Sequence, residues 1–206
     1  MAEARTVLER MYGDDATYQS TEQERAVGHV INGDGQVLAI LRTSEGKSLL
    51  YLLPCQLPGA GTMVLILPLV VLKVEMQRQC HEANLKAHVW EAKSRPKQLH
   101  SCPLIIVAVK QAVRPPFQEF LNCLAIANEL DQVVFDKCYL AVTALDYCPA
   151  IGLLPLLREL KCQIQAMLLR GARMVRSRTT RRDLWYEVLR SAARQQFLPE
   201  FAILHI

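Results

Sequence analysis

QVLAILRTSEGKSLLYLL, residues 36–53, is the stretch on which the reading of the fold turns. After Gln36 its next five residues are apolar, and the run follows the turn signal Asn32-Gly33-Asp34-Gly35, which predicts a strand over Gln36–Leu41. RTSEGKS is polar and reads as a loop. A helix is expected from about Gly46 to Leu53, ended before Pro54 because the residue preceding a proline is pushed out of the α region. Downstream the alternation repeats. TMVLIL (62–67) is a fully apolar run of strand length, and Pro68 suits the opening of a helix over Leu69–Cys80. AHVW (87–90) and PLIIVAV (103–109) are further strands, Pro116 to Asn128 a helix, and QVVFD (132–136) a buried strand ending on an acid. Upstream, Thr6 to Val30 is polar with spaced apolar residues, which suits short helices. Continuously apolar strands alternating with helices predict an α/β fold, a mainly parallel sheet with helices on both faces. Ligands of such sheets lie outside the carboxyl ends of the strands. The loop after Leu41 and the acid Asp136 both fall there.

The bulk composition agrees with one packed domain. The chain has 206 residues, 51% of them hydrophobic and 21% charged, enough for a core and against wholesale disorder. The net charge of +4 is unevenly spread. Eight arginines stand between Arg170 and Arg194 against Asp183 and Glu187, a local +6 that leaves −2 on the remainder. Seven cysteines are scattered singly, with no C-x-x-C and no histidine at finger spacing, so they read as reduced thiols rather than metal ligands. Ser48 to Leu72 is 25 residues without a charge, long enough for a membrane helix. Pro54, Pro58 and Pro68 interrupt it, and Gly59 and Gly61 divide two apolar blocks, so a short helix, a turn and a strand are expected instead. The opening Met-Ala-Glu-Ala-Arg has no apolar core of a secretory signal. An intracellular protein without a membrane partner is expected.

Gly46-Lys47-Ser48 has the chemistry of a phosphate loop. Backbone N–H groups at a helix start cradle phosphate, a lysine reaches the outer phosphates, and a hydroxyl holds Mg²⁺. The full pattern is broken, since Leu41 stands at the first glycine, and a bare G-K-S also fits a charged helix start after an ordinary loop. Asp136 after VVF adds a carboxylate of the kind that completes a Mg²⁺ shell. A strand-end turn residue is its alternative reading. The two signals in this order favour nucleotide-site ancestry.

With those elements in place, the chain resembles the RecQ family of superfamily 2 DNA helicases, and within it the telomere-linked RecQ-like helicases. The resemblance runs from about Leu8 to about Val188. TEQERAV (21–27) looks like motif 0, whose glutamine reads adenine, which puts Gln23 in that role. LRTSEGKSLLYLLPCQLPGAGTMVLILPLVVLK (41–73) is similar to the phosphate loop and motif Ia. Gly46, Lys47 and Ser48 match the ATP-binding residues there, and Ser48 with Asp136 the Mg²⁺ ligands. VVFDKCYLAVTALDYCP (133–149) resembles the D-E-C-H segment of motif II, and RSRTTRRDLWYEV (176–188) the segment leading into the second lobe. The resemblance implies a single RecA-like P-loop domain over residues 1–165, truncated before motif III. Residues 166–206 would be a basic linker and remnant leading toward a second lobe. ATP, Mg²⁺ and DNA are the implied ligands, the nucleus the implied location, and 3'-5' unwinding the implied activity of the family.

The departures from that family concern the chemistry. Arg42 replaces the proline of P-T-G-x-G-K-S and Ser44 its first glycine, where only glycine brings backbone so close without penalty. Lys137 stands at the position of the glutamate that polarises the attacking water, Tyr139 at that of the motif II histidine, and Lys110 where an acid is usual. No T-A-T of motif III is present, as CQIQ (162–165) runs straight into AMLLRGARMV (166–175). Without a second lobe there is no arginine finger, and unwinding needs two lobes that close on ATP. Two functions stay open. One is an ATP- and DNA-binding helicase lobe completed by a second lobe from another chain. The other is a catalytically dead relic or pseudoenzyme binding module. Arg173, Arg176, Arg178, Arg181 and Arg182 are the candidate nucleic-acid contacts, with a solvated helix face as the alternative. Trp90, Trp185 and Tyr186 are expected as packing residues, and His29, His81 and His88 in structural roles.

Overall fold

A computed structural model of the chain describes residues 2–33, 37–42, 45–68, 70–94, 99, 102–136, 173–176 and 203–205. Its strands are β1 (Val37–Ile40), β2 (Thr62–Leu67), β3 (Ala87–Val89), β4 (Leu104–Ala108), β5 (Leu130–Phe135), β6 (Arg173–Arg176) and β7 (Ile203–His205). The helices are α1 (Ala2–Tyr12), α2 (Thr21–Ile31), α3 (Leu49–Leu52), α4 (Leu72–Glu82), α5 (Val109–Ala112) and α6 (Pro115–Ile126), with a 3₁₀ turn at Pro54–Gln56. The strands form one sheet in the order β3-β4-β2-β5-β7-β1-β6. The β3–β4, β4–β2, β2–β5 and β1–β6 pairs are parallel, while β7 runs antiparallel to both of its neighbours.

The apolar runs become the centre of this sheet because both of its faces are covered. Along β2 the side chains alternate: Val64 and Ile66 join one core, Met63, Leu65 and Leu67 the other. The first core receives Phe117, Phe120 and Leu124 of α6. The second receives Ala4, Val7 and Leu8 of α1, Ala26 and Val27 of α2, Leu49–Leu52 of α3, and Met76 and Cys80 of α4. A strand covered on both sides needs no polar alternation, which is why β2 and β4 read as unbroken apolar blocks. The α/β architecture with helices on both faces is the one expected from the sequence.

The element boundaries follow local chemistry. Ser20 caps α2, its Oγ accepting from Gln23 N at 3.1 Å, while Gln23 Oε1 accepts from Gln19 N at 2.7 Å. This is a capping box whose return bond lands one residue early. At Gly61 the backbone N–H donates to Asp131 Oδ2 at 2.6 Å, and an added Cβ would lie 2.6 Å from Glu129 O, so only glycine fits beside β5. The helix expected over 46–53 is shorter, because Lys47 and Ser48 form a turn and Pro54 opens the 3₁₀ turn. Residues 173–176 and 203–205, within the stretch expected as a basic linker, are strands of the sheet. At four and three residues they are too short to carry a periodic signal.

Candidate nucleotide site

β1 delivers the chain to the loop that matters. Leu41 is buried and Arg42 exposed, and Gly46 takes φ +53°, the left-handed region that favours glycine. An added Cβ on Gly46 would lie 2.9 Å from Gln23 Nε2 and 3.2 Å from Gln19 Oε1. That close approach is used: Gln23 Nε2 donates to Gly46 O at 3.0 Å. Gln23 is 1% exposed, so its amide is one of few polar groups in the core and both its ends are satisfied. α2 is thereby tied to the loop through the residue whose motif suggested adenine recognition.

The turn then runs into α3. Leu49 N donates to Gly46 O at 2.9 Å and Leu52 N to Ser48 O at 2.9 Å. Ser48 is the N-cap residue of α3 but its side chain makes no capping bond. Lys47 Nζ donates to Arg42 O at 2.9 Å and Leu41 O at 3.5 Å, folding the cation back over its own loop. Glu45 does the same with a negative charge. Its Oε2 accepts from Arg42 N at 2.9 Å and its Oε1 lies 3.9 Å from Arg42 Nε. The Glu45 carboxylate is thus folded onto the first residue of the loop.

A cavity of about 570 Å³ opens beside this loop. Gln23, Gly46, Ser48 and Leu49 form one wall, and Leu8, Tyr12 and the Gly13–Thr17 turn the other. Of the predicted residues, Gln23, Gly46 and Ser48 line it together, while Lys47 is on the same loop and does not. Sequence reasoning missed the opposite wall, although Gly13-Asp14-Asp15 is a turn signal directly before the Gln23 segment. Gln19 was missed as well, since nothing in its spacing announces its bond to Gln23.

Asp136 sits half-buried just past β5, its N–H donating to Ile66 O at 3.3 Å. β5 and β1 are both antiparallel to β7 and hence parallel to each other, so Asp136 and the loop share the carboxyl edge of the sheet. Asp136 also acts on α3: burial pushes the Tyr51 phenol well up, and the Asp136 charge pushes it further. Asp136 does not line the cavity. Ser44, Lys137, Tyr139, Arg178, Arg181 and Arg182 lie outside the described residues. Arg173 and Arg176 are in β6, paired in register with Val37 and Ile40 of β1.

Among the described residues no group of three or more His, Cys, Asp and Glu could hold a metal ion by itself. Cys55, Cys80 and Cys102 are buried thiols and Cys123 is exposed. Trp90 is 3% exposed, a packing residue as expected, and His88 Nε2 lies 3.0 Å from Ser94 Oγ. Among the described residues no helix is long and apolar enough to cross a membrane.

No family model matches the chain. Over 146 residues, 66% of this chain, it is 29% identical to the ATP-dependent DNA helicase Q5 of Rattus norvegicus and 28% identical to that of Mus musculus. The matched stretch spans 15% of the length of each relative. Together with the α/β sheet, these matches make the chain a distant relative of RecQ-like helicases.

Proposed function

We propose that this chain is a nucleotide-binding lobe of RecQ-like descent that binds Mg·ATP weakly and does not hydrolyse it. The observation that carries the proposal is the bond from Gln23 Nε2 to Gly46 O at the wall of the cavity. It joins the glutamine of the adenine-reading motif to the glycine of the phosphate loop. In this assignment Gly46 supplies backbone, Lys47 the cation for the outer phosphates, and Ser48 with Asp136 the oxygens for Mg²⁺. Hydroxyl and carboxylate oxygens suit that hard cation, and the Ser48 side chain makes no capping bond. Bound Mg²⁺ would neutralise phosphate charge.

The same geometry keeps affinity low. Gln23 has both ends of its amide engaged, and Lys47 is bonded to loop carbonyls. Nucleotide must displace these contacts before gaining its own. For hydrolysis, Lys137 occupies the general-base position, and a charged lysine has no lone pair to accept a proton. The catalytically silent reading is therefore preferred over a lobe completed by another chain. DNA contact through Arg173, Arg176, Arg178, Arg181 and Arg182, and a nuclear location, follow from the descent alone.

Calorimetry with Mg·ATP tests the first part. Weak heats lost in Lys47→Ala are expected, and low-micromolar affinity abolished by that substitution would show a competent loop. Phosphate release with and without single-stranded DNA tests the second. No DNA-stimulated turnover is expected from the wild type and almost none from Lys137→Glu. Robust DNA-dependent turnover, absent from Lys47→Ala, overturns the proposal.

A further inference from the structure

β7 is three residues long and stands in the middle of the sheet. Leu204 is in backbone register with Leu38 of β1 on one side and Phe135 of β5 on the other, and His205 with Val37 and Val134. Ile203 pairs with Ala39, so the strand enters at the carboxyl edge, beside the loop and Asp136. Among the described strands β1 has only β6 and β7 as partners. The leaf formed by β6 and β1 therefore joins the leaf β5-β2-β4-β3 in the sheet through β7 alone. On one face α2 adds a tie, Gln132 Nε2 donating to Val30 O at 3.0 Å. That bond leaves the strand spacing open, whereas the ladders fix it.

We propose that Ile203–His205 is a positioning strand that sets the separation between the phosphate-loop strand and the Asp136 strand. Neighbouring strands lie about 4.8 Å apart, so one intervening strand holds β1 and β5 about 9.6 Å apart. Ala39 is two residues from Leu41, and Phe135 adjoins Asp136, so little slack intervenes between the ladders and the groups they place. Without β7 both leaves present an unpaired edge, which seeks another strand. The two edges then close on each other or splay, and in either case Asp136 leaves its distance from Ser48. The positioning role rests on the nucleotide assignment proposed above, while the ladder itself does not.

Amide hydrogen exchange on the full chain tests the ladder. In the wild type, amides of 203–205 are expected to be protected about 100-fold or more over the free chain, as paired strands are. Leu204→Pro removes an N–H from a central strand, whichever neighbour it serves. It should release protection at Phe135 and at those amides of 37–39 that point toward β7, while 63–67 and 104–108 stay protected. ATP titrated with Mg²⁺ and with EDTA then tests the positioning. Leu204→Pro should abolish the gain in affinity that Mg²⁺ gives, about tenfold for each 1.4 kcal/mol, and leave metal-free affinity within about twofold. Free-chain exchange at 203–205 in the wild type overturns the inference, as does unchanged protection at the β7-facing amides of 37–39 in the variant. An equal loss of both affinities would assign the strand to stability only, and no change in either would remove its positioning role. A wild type that binds no ATP refutes the proposed function and its positioning corollary, while the exchange data still decide the strand.

Discussion

Gly46 holds two constraints at once, a φ of +53° and a Gln23 amide 2.9 Å from where a Cβ would stand. Gly46→Ala must carry left-handed strain, which costs about 1–3 kcal/mol in a non-glycine residue. It must also push Gln23 off the carbonyl. Gln23→Ala leaves Gly46 O and Gln19 N without their partner, at about 1–3 kcal/mol for a buried polar group left unsatisfied. Because both act on one contact, the double variant should lose less stability than the two single losses combined. Urea unfolding of the three variants measures this, and strict additivity would mean that the contact carries no energy. That Gly46, Lys47 and Ser48 lie between a strand and a helix was legible, because a polar stretch there separates two apolar ones. The closure of the loop was not. Glu45 and Arg42 could have pointed outward, and only the folded backbone brings the carboxylate onto the Arg42 amide.

The elements owe their order to which face each side chain reaches. Trp90 stacks on Phe120 at 4.9 Å between ring centroids and meets Phe117 edge-on at 5.0 Å, an aromatic knot under α6. Phe120→Ala empties the middle of that knot and should destabilise by about 3–5 kcal/mol. Urea unfolding gives the loss, and Trp90 fluorescence should shift to the red as water reaches the ring. A loss below about 1 kcal/mol would place the knot outside the cooperative core. β2 and β4 were readable from sequence to within a residue, since full burial writes itself as an unbroken apolar run. The end of β4 was less so. Val109 was expected in the strand and instead opens α5, because an apolar residue fits either element and the turn is made by the backbone. β6 and β7 escaped notice because RMVR and ILH show no period, and their pairing with β1 is set by distant chain.

The molecule as a whole hides thiols and a phenol inside one sheet domain. Burial pushes the Cys80 thiol from 9.0 up to about 11, and it pushes Cys55 and Tyr51 up as well. In this window the folded chain keeps protons that the unfolded chain releases, so stability falls as pH rises. It is fully present below the ordinary thiol value of 9.0 and declines through about 11 for Cys80. The urea midpoint should therefore drop between those pH values, and Cys80→Ala should flatten part of the drop. A midpoint that stays level to pH 11 in the wild type would show that these groups are solvated. The unbroken apolar strands carry a cost of their own during synthesis. TMVLIL has its parallel partner LIIVA only at Leu104–Ala108, and its other partner later still at β5. At about 5–20 residues per second the ribosome leaves β2 unpaired for about 2–8 s. A charge-free six-residue segment of high β-propensity is a template for other chains over that interval. Yield in a cell should thus depend on holdase chaperones and slow expression more than on the final stability of the fold.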